Sequence, residues 1–190
     1  MAALALIVMV PRGTDTIDSA IASHIRALQP GHLADVLFPD EHTVKPWFNG
    51  RVDFAPPVKD LASQGFPLIG GRLDFLARRP VAALVYRRAK HVVDLYIWPA
   101  SSKSPAPEQT GERSTYNFIR WIQGDMVFWA VFDVEKSQLA GFVRLWRSSW
   151  SRNDPDGRYG FWGAGATACI PGAGAMTIAG TSPDGCMAPE

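Results

Sequence analysis

Cysteine is almost missing from this sequence: there are two among 190 residues, Cys169 and Cys186, both in the last fifth. No Cys-x-x-Cys and no His-x-x-x-Cys-x-x-Cys occurs, so the spacings that build zinc sites are absent. There is no Gly-x-Ser-x-Gly around a serine, no Gly-x-Gly-x-x-Gly and no phosphate loop ending in Lys-Ser/Thr. The common signatures of nucleophilic catalysis and nucleotide binding are therefore lacking. No apolar run approaches the ~20 residues that cross a bilayer. No Lys/Arg-rich arm interleaved with aromatics appears, which argues against nucleic acid as a partner. Charge of one sign is not in excess overall, at +1.

What is present reads as one globular domain with extensions. Hydrophobic residues make up 47% and charged residues 19%, outside the disordered range. Charge is uneven along the chain. His42 to Trp98 carries nine Lys/Arg against four Asp/Glu, a surplus of five, whereas Met1 to Glu41 carries two against five, a deficit of three. The middle segment thus has a mildly basic surface, in the simplest case an ordinary solvated face.

Residues 1–13 form an apolar start, MAALALIVMV closed by Pro11-Arg12-Gly13, without the basic flank of a signal peptide. Thr14 to Gln29 predicts a helix, with Thr14 or Asp15 as cap and Ile17, Ile21, Ile25 and Leu28 as its apolar stripe. Pro30-Gly31 breaks it, and His32 to Phe38 adds a turn or two. His42 to Pro57 packs Lys45, Trp47, Phe48 and Asn49 between prolines and reads as extended and partly strand-like. Leu68 to Trp98 predicts three antiparallel strands, in the first of which Leu73 and Phe75 alternate with Arg72 and Asp74. Gly70-Gly71 marks a close backbone approach or a bulge. Pro99 to Ser114 reads as a surface loop. Tyr116 to Ile122 and Met126 to Phe132 form a second hairpin, and a helix from an Asp133 cap to about Arg147 closes the domain through Leu139, Phe142, Val143 and Trp146. The fold class is α+β, with an N-terminal helix, a mainly antiparallel sheet of about five strands and a C-terminal helix, over residues 14–149. Residues 150–190 hold eight of the 17 glycines and read as a disordered tail.

Candidate chemistry is sparse. His24, His32 and His42 with Asp35 or Asp40 are the nearest approach to a metal set, but their spacing matches no zinc pattern. Asp53, Asp60, Asp74 and Asp94 offer carboxylates that nothing in the sequence pairs. Cys169 and Cys186 could pair in an exported protein, though their segment reads as unstructured. The aromatic residues are mostly core, with some free to line a groove.

An ordered string of motifs then carries a resemblance. It comprises His42-Thr43-Val44-Lys45-Pro46-Trp47-Phe48-Asn49-Gly50, Asp53-Phe54, Gly65 through Asp74, Pro80 through Arg88, Tyr96-Ile97-Trp98-Pro99, and Tyr116-Asn117 through Val131. Over roughly His24 to Trp146 it resembles the extracytoplasmic part of bacterial transmembrane anti-sigma factors. The resemblance implies a sensor or interaction domain, and with no catalytic or metal-ligand pattern in the sequence the expectation is no enzyme, no cofactor and no metal. It implies a membrane-associated, periplasmic location, with residues 1–10 as the outer end of a span. A sigma factor would be held only through a zinc-binding domain that this sequence lacks, and a protein or small molecule would be the signal. His42, Lys45, Trp47, Phe48 and Asn49 then form a signal-coupling motif between the membrane-proximal helix and the sheet. Two rivals remain: a small metal-dependent hydrolase using His42, and a free-standing ligand-binding module with a pocket beside Trp47.

Overall fold

The computed structural model describes residues 14–38, 41–101 and 107–149, with the side chains of residues 14–15 and 41–43 left aside. The expectations for the apolar start, the Gly-rich tail, its two cysteines and the His42 and Asp40 side chains lie outside what is described.

Within these residues the chain is α+β. Helix α1 (Thr14–Ala27) leads to a two-residue strand β1 (Val36–Leu37) and a short helix α2 (Glu41–Trp47). A single 3-10 turn (Ala62–Gln64) precedes three strands, β2 (Leu68–Leu76), β3 (Arg79–Arg88) and β4 (His91–Pro99). Strands β5 (Gln109–Arg113), β6 (Tyr116–Gln123) and β7 (Met126–Phe132) follow, and α3 (Lys136–Ser148) closes the domain. The seven strands form one antiparallel sheet in the order β1-β2-β3-β4-β7-β6-β5. Two meanders therefore meet at β4 and β7, in the middle of the sheet.

The central strands show why. β3 carries Val81-Ala82-Ala83-Leu84-Val85-Tyr86 and β7 carries Met126 through Phe132, and all these residues are buried. A strand covered on both faces needs such an unbroken apolar run. On one face α3 lays Leu139, Phe142, Val143 and Trp146 against Tyr86, Phe128 and Trp121. Val44 and Phe48 from the α2 region join the same core. On the other face α1 sets Ala20 and Ile21 beside Val81, Ala83, Tyr96 and Trp129. A buried Leu or Phe side chain contributes ~1.5–3 kcal/mol, so α3 is held by the larger apolar contact.

Several expectations change. Seven strands replace five, because β1 is too short to show a period and β5 is an edge strand with little of its surface buried. The segment expected to be extended around Pro46 is helical from Glu41 to Trp47. Pro46 lies inside this helix and costs it the i→i−4 hydrogen bond that its missing N–H would make. His32 to Phe38 gives a turn and β1 in place of further helix. Glu135, not Asp133, precedes α3. The α1 stripe is rotated: Ala20, Ile21, Ser23, His24 and Ala27 face inward, while Ile25 and Leu28 are each 43% exposed.

The Gly70-Gly71 reading holds, since β2 changes register between Leu68 and Gly70. A β-carbon on Gly70 would run into the Val36 carbonyl. The glycine thus admits the close passage of β1.

Candidate functional site

The chemically distinctive place in the described residues lies under α1. In the register of the sheet, Arg72 on β2 stands opposite Ala83 on β3, which in turn stands opposite Tyr96 on β4. Asp94 is two residues before Tyr96 and so faces the same way. Ala83 offers only a methyl group, which leaves room for the Arg72 guanidinium to cross to β4. There it meets Asp94 in a two-pronged contact, Nη1 to Oδ1 at 2.8 Å and Nη2 to Oδ2 at 2.8 Å. This fork geometry is the strongest form of Arg–carboxylate pairing.

The rest of the guanidinium is also occupied. Nη2 donates to the Tyr96 hydroxyl at 3.0 Å, Nη1 to the Leu33 carbonyl at 3.4 Å, and Nε to Asp74 Oδ2 at 3.4 Å. Helix α1 closes the cluster from above. His24 Nδ1 lies 2.7 Å from Asp94 Oδ2, and both side chains are fully buried. Ser23 Oγ donates to Asp74 Oδ2. The Tyr96 hydroxyl sits 3.1 Å from both the Ala20 carbonyl and Ser23 Oγ and 3.3 Å from Asp94 Oδ2, so its one proton serves one of three acceptors. The Tyr116 ring meets the His24 ring edge-on at 5.2 Å. His24 Nε2 is buried without a hydrogen-bond partner.

Electrostatics follow from this geometry. Burial alone pushes the Asp94 carboxyl up, but the adjacent Arg72 charge and the Arg72 and His24 hydrogen bonds outweigh it, holding Asp94 well below the usual carboxylate range. Burial disfavours the charged Arg72, yet Asp94 beside it more than compensates and keeps the guanidinium protonated. Burial, then the Asp94 charge, raises the Tyr96 phenol well above its ordinary value, so it stays neutral. Of the four carboxylates considered from sequence, Asp74 and Asp94 are both held by Arg72. Asp60 accepts from the Ala62 and Leu68 amides and caps a turn.

A His–Asp pair of this kind can act as a base only where substrate reaches it. Here the His24 and Asp94 side chains have no exposed surface. What the arrangement does is join β2 to β4 through the Arg72–Asp94 ion pair and α1 to both through the Ser23 and His24 hydrogen bonds to Asp74 and Asp94. Breaking one partner of such a cluster costs ~3–5 kcal/mol, whereas the intact cluster adds little over a well-packed apolar core. A bidentate surface pair, Arg113 with Asp18 at 3.0 Å, ties α1 to β5 as well, and being half-exposed contributes at most ~1 kcal/mol.

The residues singled out from sequence lie elsewhere. His42 falls in α2. Lys45 and Trp47 are half-buried, Phe48 is fully buried and Asn49 is exposed. Trp47 meets Phe48 edge-on at 5.2 Å, and the Arg51 guanidinium lies over the Trp47 ring at 4.4 Å. Of the expected metal set, His24 is taken by Asp94 and His32 is exposed beyond α1, while the His42 and Asp40 side chains lie outside what is described. Among the described residues no three His, Cys, Asp or Glu side chains converge on a metal-sized site. His91, exposed on β4, pairs with Asp133 at 3.0 Å.

The buried cluster had one visible sign. Asp94 stands inside Val92-Val93-Asp94-Leu95-Tyr96-Ile97, an apolar strand that gives no other reason for a carboxylate. Its partners at positions 24 and 72 are too distant in sequence to be read from pattern.

Comparison of the chain with protein-family profiles, with curated proteins and with solved structures gives no match. No described helix is long and apolar enough to cross a membrane.

Proposed function

We propose that this domain is the extracytoplasmic sensing or interaction half of a membrane-anchored anti-sigma-type regulator, with α1 as the element that carries the signal. The observation supporting this reading is the mode of attachment of α1. Three residues separate the helix from the apolar segment Met1–Val10, and its contact with the sheet includes bonds from Ser23 and His24 to carboxylates paired with Arg72. When one partner of these bonds changes, the balance between an engaged and a released α1 shifts.

In this reading the domain binds and does not catalyse. Residues 1–10 contact the membrane, and a sigma factor is engaged by a separate zinc-binding domain. The α2 segment, with Lys45, Trp47, Phe48 and Asn49, follows β1 and is anchored in the core through Phe48. The motif string quoted above from His42 to Val131 supports the family assignment. A second reading, a ligand-binding module working alone, is favoured by an open cavity beside the Trp47–Arg51 pair.

The experiment is a chimera in which a zinc-type sigma-binding domain and a full span are joined ahead of Met1, in cells with a sigma-dependent reporter. The expected result is repression that changes when Asp94→Asn or Arg72→Met loosens α1. Equal repression by all three proteins, at equal abundance, argues for the module working alone.

A further inference from the structure

At the end of the sheet where β2 turns into β3, the loop after α2 folds over an open cavity of about 740 Å3. Its wall includes Arg51, Asp53, Arg79, Pro80 and Trp98. The two arginines are notable for what they lack. Neither has a carboxylate within ion-pair distance among the described residues, in contrast to Arg72, Arg113 and Arg147. Arg79 is half-buried, donates from Nη1 to the Pro99 carbonyl at 3.1 Å, and has a buried Nε without a partner. Arg51 lies on the Trp47 ring and donates from Nη1 to the Trp47 carbonyl at 2.6 Å. Both guanidiniums are thus fixed in place by neutral groups, with no carboxylate in ion-pair contact among the described residues although Asp53 lines the same wall.

Concave surfaces concentrate the field of the charges that line them, and a planar guanidinium matches a carboxylate or phosphate in shape and hydrogen bonding. We propose that this cavity binds an organic anion, its carboxylate or phosphate held by Arg51 and Arg79 and its apolar body against Pro80 and Trp98. The inference does not depend on the sensor reading: an anion site serves a module working alone equally well. Asp53, on the same wall, weakens the binding of a pure anion. The ligand is either a free molecule or the head of an anionic lipid, since both present the same group.

The test uses the full chain and two probes, phenyl phosphate by calorimetric titration and phosphatidylglycerol vesicles by co-sedimentation. Saturable binding of phenyl phosphate, weakened about tenfold or more by Arg51→Gln through loss of charge-assisted hydrogen bonds, supports a free anion. Vesicle binding that falls likewise in Arg51→Gln, without phenyl phosphate binding, supports a lipid headgroup. Asp53→Asn is expected to tighten whichever interaction is found. Arg51 is exposed, so its replacement leaves the thermal transition in place; Arg79→Gln is read only if its melt is also unchanged. Failure of both probes, binding indifferent to Arg51→Gln and Arg79→Gln, or equal heat from uncharged benzyl alcohol overturns the proposal.

Discussion

The ring of Phe48 lies where a side chain on Gly71 would be. A β-carbon built on Gly71 stands 2.9 Å from the Phe48 ring and 3.1 Å from Val44. The glycine is therefore a seat for the aromatic residue that ends the α2 segment, and it fixes that segment on β2. Gly71→Ala forces either the ring or the strand to move, and overpacking of this kind costs ~1–3 kcal/mol. Urea unfolding is expected to show that loss. The double variant Gly71→Ala/Phe48→Leu should lose less than the sum of the two single changes.

The second prediction concerns the pair beneath α1. Asp94→Asn leaves the buried Arg72 charge without its main partner, and Arg72→Met does the same to Asp94. Each is expected to destabilise by ~3–5 kcal/mol. Removing both charges together should cost clearly less than the sum, and the double-mutant cycle in urea measures the difference. Additive losses would mean that the two side chains do not interact as described.

Acid stability carries the same signature. The folded protein holds the Asp94 carboxyl below its ordinary range, against about 4 in an unfolded chain. Above that value both states are ionised and the full contribution is present. As the pH falls below it, the unfolded chain takes up a proton that the folded domain resists, so stability declines until Asp94 itself is protonated. Urea midpoints from pH 7 down to pH 3 should fall in the native protein, with a shallower fall in Asp94→Asn.

These predictions rest on features that were unequally visible in the sequence. The strands from Leu68 to Trp98 and from Tyr116 to Phe132 announce themselves by apolar runs and turns, and α3 by its Leu139, Phe142, Val143 and Trp146 face. The direction in which β2 faces is not so announced. Leu73 and Phe75 look like its inward side, yet they are 40% and 65% exposed while Arg72 is buried. A charged partner on β4 decides this, and no local period records it. The same partner explains why α1 turns His24 inward and leaves Ile25 outside. The helix of the α2 segment is not legible in the sequence, because proline marks a break in extended and helical chains alike. Its fit to Gly71 depends on a contact across more than twenty residues.

The central claim is that α1 is latched to the sheet by the His24–Asp94–Arg72 cluster and can leave it without unfolding the rest. Native-state hydrogen exchange on the full chain, comparing the native protein with Asp94→Asn, tests this most directly. The account predicts that the amides of α1 lose most of their protection in the variant while those of β3, β4, β7 and α3 keep a common, higher protection. Uniform loss across helix and sheet, or an α1 as protected as before, would contradict it.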